Sequence, residues 1–405
     1  MTRHRQQPAR AAIGAPRLAG ALSALVLAGC VGGQVTGPDF EPPPPRVAAS
    51  VFVVTTDFQT GSYATFPVAN PTDVARNLGR LHSDAVALHH DGLVYVINRL
   101  GGDSIQALDP QAGFASLWQC SVGNGANPHD LIIAAPDKAY VTLYERRELL
   151  IVDPSAGASC NGFVRGTIDL GPLTDADGVP EMDTGAVIDG KLYVTLQRLD
   201  RNAFFQPSDF SSIAVIDVAT DTLIDADPST AAIDGIRLAG KNPFTGGQGL
   251  PLDADGNIVV NDVGSFGDIG DGGIERIDPR TMRSLGFLMT EQDFGGNLTD
   301  FVLVGEREGY AIVTDLRFYN FLVRFDPTER RVLETLLASD EYLVDLELEP
   351  TRGELYLTDR TLKNPGVRIF RTGDGVELTA QPIDTGLPPF DVVFLPAPEG
   401  TGGEP

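Results

Sequence analysis

The sequence predicts an all-β fold: a seven-bladed β-propeller of four-stranded antiparallel blades, its ring closed by pairing of N- and C-terminal strands. Three observations predict it. The 405 residues hold 45 Gly and 29 Pro, which suits short strands and turns better than long helices. One strand–turn–strand unit recurs about every 51 residues between Asp84 and Asp391. Finally, the chain begins with the later strands of a unit and ends with the opening strand of one.

Composition also narrows the function. Thirty Lys and Arg stand against 55 Asp and Glu, a net charge of −25. A phosphate backbone is gripped by clustered cations, so nucleic acid is excluded as a partner. An electrostatic hold on anionic lipid is excluded on the same ground. Cations, basic partners and plain solubility stay open.

Arg3, Arg5, Arg10 and Arg17 precede the apolar run Leu18–Leu27, an export signal too short to span a bilayer. The tetrad Leu27-Ala28-Gly29-Cys30 resembles the lipobox of bacterial lipoproteins. That resemblance implies removal of residues 1–29, lipid on Cys30 and, from Val31, sorting to the outer membrane, on its periplasmic or surface face. Membrane contact would then run through the lipid alone. Residues 30–50, with Pro42–Pro45 in a row, read as a tether reaching up to about 60 Å. The propeller is expected over 51–396, and 397–405 as a disordered tail.

The repeat is clearest at Asp130-Leu131-Ile132-Ile133, then Ala139-Tyr140-Val141-Thr142, then Ile151-Val152-Asp153-Pro154. A strand-opening Asp recurs at Asp84, Asp130, Asp183, Asp300, Asp345 and Asp391, with Gln248 holding the remaining place. Seven such openings make seven blades. A lone four-stranded sheet cannot cover both its faces, so the units must stack, and radial stacking hides the strand edges. Phe390–Phe394 opens a blade that only Val51–Val54 and Tyr63–Val68 can complete, so truncating either end should cost the whole fold.

The run from Asn127-Pro128 through Tyr140-Val141 to Asp153-Pro154 resembles the YVTN-type repeat of bacterial seven-bladed propellers. The resemblance covers most of residues 51–396. It implies the fold and leaves activity open, since propellers host binding proteins and enzymes alike. With Trp118 as the single Trp, neither a WD-repeat signature nor a Trp-per-blade quinone motif is present, so no resident cofactor is expected beyond a calcium ion.

In a propeller, strand A starts and strand B ends on one face, beside the central channel. That face is expected to bind ligand. It would collect the opening aspartates and Gln248 with His82, Arg99, His129, Arg198, Asp262, Arg317 and Arg360. Two long loops rise from it, Arg198–Ser211 and Val263–Gly273, and the first carries Phe204, Phe205 and Phe210 as a candidate rim anchor. Either those rings meet a partner or they fold back over neighbouring blades. The aspartates read in two ways, as clasps accepting backbone N–H groups or as cation ligands. Asp175, Asp177, Glu181 and Asp183 crowd a Gly turn in a manner that suits calcium, though without EF-hand spacing. Gly267–Gly272 is a weaker loop of the same kind.

His129 and Asp130 are neighbours in an extended segment, so their side chains diverge. An acid–base pair there would need a carboxylate from another blade. No nucleophile elbow, phosphate loop or zinc-protease motif occurs. Cys120 and Cys160 are the thiols left after lipidation, and in an oxidising compartment a disulfide is the default. The strand map places them at opposite rims, so the bridge requires residues 155–163 to climb the outside of the ring. The resulting expectation is a monomeric, outer-membrane-anchored binding platform for an envelope or extracellular protein, peptide or glycan. The alternatives are a lactonase-like hydrolase on the same face, with calcium, and a scaffold subunit of an envelope complex.

Overall fold

A computed structural model describes residues 47–244 and 249–397. The leader, Cys30, residues 31–46 of the tether, Gln248 and residues 398–405 lie outside the described residues.

Seven blades follow one another. Blade 1 joins the chain ends: Pro389–Pro396 is its strand A, followed by Ala48–Thr56, Gly61–Pro67 and Arg80–Leu81. The closing pair is antiparallel, with Val51 opposite Phe394, Phe52 opposite Val393 and Val53 opposite Val392. Blade 2 spans Ala85–Ser121, blade 3 Pro128–Asp169 and blade 4 Met182–Ile224, each with four strands in order, and in blade 4 Ile236–Arg237 adds a short fifth against the third. Blade 6 spans Asn297–Ser339 in the same way. Blades 5 and 7 each pair three full strands, Ile258–Thr290 and Leu343–Arg371. Their missing strand shrinks to isolated bridges, Pro243 to Asp262 and Leu252 to Ile258 in blade 5, and Val367 to Ile383 and Phe370 to Glu377 in blade 7. Among the described residues the one α-helical turn is Glu291–Phe294.

Both faces of each blade are covered by its neighbours, so the strands read as near-continuous apolar runs. Phe52 and Val54 of blade 1 pack with Ala85 and Val94 of blade 2, and Tyr310 and Ile312 of blade 6 with Leu343 and Leu355 of blade 7. The third residue of strand B is a buried Tyr in five blades: Tyr95, Tyr140, Tyr193, Tyr310 and Tyr356. A buried hydroxyl needs a partner. Tyr140 donates to Asp221 Oδ1 (2.6 Å) and Tyr193 to the Pro279 carbonyl (2.9 Å), each on the next blade. The Asp-Pro that ends strand C is a corner device. Asp109 Oδ1 accepts from Gln111 N and Asp153 Oδ1 from Ser155 N, satisfying amides that the proline turn leaves unpaired.

Strand A is the inner edge of each blade, with amides directed away from its own sheet. The opening aspartates meet them across the blade interface. Asp391 accepts from Ala87 N (2.8 Å), Asp130 from Gly185 N (3.0 Å), Asp300 from Leu346 N (2.7 Å) and Asp345 from Val392 N (2.9 Å). Strand A is bulged beside Asp130, Asp300 and Asp345, which turns these carboxylates toward the following blade.

Cys120 and Cys160 are bonded. The conflict with the strand map resolves because the loop between strands C and D of blade 3 does climb over blade 2. Phe163 packs on Trp118 with ring centroids 5.4 Å apart.

Candidate functional site

The channel opens on the face where strands A begin and strands B end, as a cavity of about 1100 Å³. The charged groups of its lining all lie on blades 1 to 4. Asp84, Asp130, Asp183, Asp391, Arg99, His82 and His129 all line it. Arg99 donates to Asp84 through Nε (2.9 Å) and Nη2 (2.5 Å), and its guanidinium lies 5.4 Å from the Phe390 ring centroid. His129 Nδ1 lies 2.8 Å from Asp183 Oδ1, so the carboxylate partner does come from the next blade. The imidazole stacks on Tyr144, centroids 4.3 Å apart and planes within 13°, while Tyr144 donates to Gln197 Oε1 (2.9 Å). A proton fixed on Nδ1 by a carboxylate leaves Nε2 as the basic nitrogen. Burial pushes the Asp130 and Asp391 carboxyls above the usual range, Asp391 up to about 7, although each accepts a backbone N–H.

The rim is apolar. Phe58, Leu100, Phe244, Phe266, Phe318 and Tyr342 all line the cavity and all remain exposed. Phe58 and Phe318 sit at φ +63° and +65°, a left-handed conformation that costs a residue with a Cβ about 1–2 kcal/mol. Each is held there by an aspartate just past strand B. Asp57 Oδ1 accepts from Gln59 N and Thr60 N, and Asp315 Oδ1 accepts from Arg317 N and Tyr319 N. This crown escaped the sequence reading. For Phe58 and Phe318 the signal was present, as an Asp followed within three residues by a Phe at the end of strand B, whereas Leu100, Phe244, Phe266 and Tyr342 carry no such signal.

Several expected site residues lie elsewhere. Asp300 and Asp345 are buried in their clasps, and burial raises both carboxyls. Arg360 is clamped between the Phe58 and Phe390 rings and donates to the carbonyls of Thr56, Pro388 and Pro389. Its role is to hold the closing strands and the base of the crown. Arg317 is exposed and paired with Asp315. Arg198 faces a separate recess of about 270 Å³, stacked on Phe210 (3.9 Å), and Arg237 stacks on the same ring (4.4 Å). Asp262 is fully buried in blade 5, and among the described residues no donor reaches either of its oxygens. Burial, and then the neighbouring Glu275, raise its carboxyl well above the usual range.

The acidic run and the aromatic loop, expected as two features, form one. Glu181 is fully buried and accepts from Leu199 N (2.9 Å) and Arg201 Nε (2.8 Å). Arg201 also pairs with Glu145, and its backbone N donates to Asp177 (2.8 Å). Asp175 accepts from Ser208 Oγ (2.5 Å). Of the four acids expected to favour calcium, Arg201 thus engages Glu181 through its guanidinium and Asp177 through its backbone. Burial lifts Glu181 to about 7 despite the pairing. Among the described residues no group of three or more His, Cys, Asp or Glu is arranged to hold a metal. The loop that this network builds presents Phe204, 92% exposed, outside the cavity, while Phe205 turns back toward Arg201.

No family model matches the chain. Among solved structures it is similar to a candidate 6-phosphogluconolactonase from Bacteroides fragilis, with TM-score 0.59 and 12% identity over 88% of this chain and all of that one. A protein from Lactobacillus plantarum gives 0.59 and 13% over 86% of this chain and 99% of that one. A second candidate 6-phosphogluconolactonase, from Bacteroides uniformis, gives 0.58 and 12% over 86% and 100%. Likeness at this identity is a likeness of fold. The chain is a seven-bladed β-propeller with a polar channel mouth inside an apolar crown. No described helix is long and apolar enough to cross a membrane.

Proposed function

We propose that this is an exported YVTN-type propeller lipoprotein, lipidated at Cys30 and held at the outer membrane. Its channel mouth is a binding platform for an envelope or extracellular protein, peptide or glycan. The observation that carries the reading is the crown. Six large apolar side chains stay exposed around a polar-floored cavity, two of them in a strained conformation that fixed aspartate turns maintain. Exposed apolar groups so placed mark recognition surfaces. The Cys120–Cys160 bridge suits an oxidising compartment. Both ends of the described propeller, Ala48 and Pro396, pair with each other at the rim opposite the crown.

Phe58→Ser with Phe318→Ser tests the platform. Envelope material retained by the immobilised wild type should be lost by the double variant, with the melting temperature little changed, since serine keeps the Cβ and the same left-handed backbone. Equal retention by both proteins would remove the crown from the function. A scaffold subunit of an envelope complex would use the same surface and respond in the same way.

The His129–Asp183 pair favours a second reading, a lactonase-like or other hydrolase at the same mouth. His129 Nε2 would take a proton from the attacking water, and Asp183 would stabilise the imidazolium so formed. With a panel of lactones and esters, His129→Gln should lower turnover about 10²–10⁴-fold while melting unchanged. Melting with and without millimolar calcium tests a calcium-dependent form of this reading, for which a saturable upward shift is expected.

A further inference from the structure

We infer that the group the mouth accepts is an organic cation on an apolar stem, an ammonium or guanidinium rather than an anion. This rests on the mouth being the binding surface. Three features of the cavity combine. Its lining holds four carboxyl groups, Asp84, Asp130, Asp183 and Asp391, against a single guanidinium and no lysine. That guanidinium, Arg99, is already neutralised by Asp84 through two hydrogen bonds, so it has little left to offer a phosphate or carboxylate. The crown supplies the remaining chemistry, since Phe58, Phe244, Phe266, Phe318 and Tyr342 ring the opening above Phe390.

Aromatic faces attract cations, and below them Asp183, beside His129, supplies the carboxylate that completes the match, since Asp84 is paired with Arg99 and Asp130 and Asp391 are engaged in their clasps. An apolar stem would lie against the crown while the charge reached the acidic wall on blades 1 to 4. The chain's net charge of −25 draws cations toward the molecule and repels anions. A phosphorylated substrate, which the names of two similar structures specify, meets the opposite field here. If the mouth is catalytic, its substrate is expected to be neutral or cationic.

The test uses three ligands with one body and different heads: 4-phenylbutylamine, 4-phenylbutanol and 4-phenylbutanoate. Each is titrated calorimetrically into the full mature chain at pH 7.5. The amine should bind about tenfold tighter than the alcohol, and the carboxylate most weakly. Arg99→Gln removes the competing cation and should tighten the amine by about three- to tenfold. Asp84→Asn unmasks Arg99 and should loosen the amine while improving the carboxylate. Opposite responses from two variants separate a charge effect from damage to the fold, and a melt of each confirms folding. Tighter binding of the carboxylate overturns the assignment. Equal binding of all three, weakened alike by Phe58→Ser with Phe318→Ser, also overturns it while leaving the mouth a binding surface. If none binds to wild type, the assignment falls together with its premise for ligands of this size.

Discussion

Single residues here are set by burial and by the charge of a neighbour. Asp262 is the sharpest instance. It lies beside Glu275, whose carboxylate is occupied by Ala239 N and Gly240 N (2.9 Å each). Burial, with the Glu275 carboxylate beside it, disfavours a charge on Asp262 and pushes its carboxyl well above the usual carboxylate range. Asp262→Asn keeps the shape and supplies a permanent donor to Glu275. It should raise the melting temperature at pH 8 by a few degrees, in line with about 1–2 kcal/mol, and do little at pH 5. A loss of stability at pH 8 would mean that Asp262 is ionised and serves as an acceptor. Residue types at this scale were legible in the sequence, but directions were not. Arg99, Arg198, Arg317 and Arg360 all follow a strand B, yet among these four only Arg99 lines the cavity. Spacing along a strand cannot tell which stem a neighbouring ring will capture, and Phe210 captures Arg198.

At the scale of elements, the recurring Asp and the bulge beside it form the joint between blades. The expected clasp is observed at four interfaces, and its partner is the strand A amide of the following blade rather than a turn. Asp300→Ala leaves the Leu346 amide unpaired in a buried seam and should destabilise by about 1–3 kcal/mol. Asp300→Asn keeps a carbonyl acceptor without a charge and should match wild type at pH 5 and exceed it at pH 8. Equal losses for both, read from melts, would show that the negative charge is essential. Loop 198–211 shows the limit of local reading. Its aromatics and the acids of 175–183 are separate in sequence, and the bonds that join them, Arg201 and Leu199 to Glu181, Arg201 N to Asp177 and Ser208 to Asp175, exist only in the folded chain.

For the molecule as a whole, the clasps set an unusual dependence on pH. Asp130, Asp300, Asp345 and Asp391 all have carboxyls raised by burial, Asp391 to about 7. Where a carboxyl is raised in the fold, the native state holds its proton more tightly than the unfolded chain. Its stabilisation is therefore complete below about pH 4 and is lost as pH rises toward 7. Asp57, Asp153 and Asp326, depressed chiefly by hydrogen bonds, act in the opposite sense and lose their contribution as pH falls below about 4. Melting temperature should therefore peak near pH 5 and decline toward pH 8. A steady rise to pH 8 would mean that the clasps are ionised. Repeat period, blade count and closure of the ring followed from the sequence alone, because alternation, turn residues and an incomplete unit at each end are local patterns. The pairing of His129 with Asp183, the apolar crown and the occupation of the acidic loop by Arg201 were decided only by the tertiary structure. Each joins residues of different loops or blades, and only the stacking of the blades brings those residues within a few ångströms.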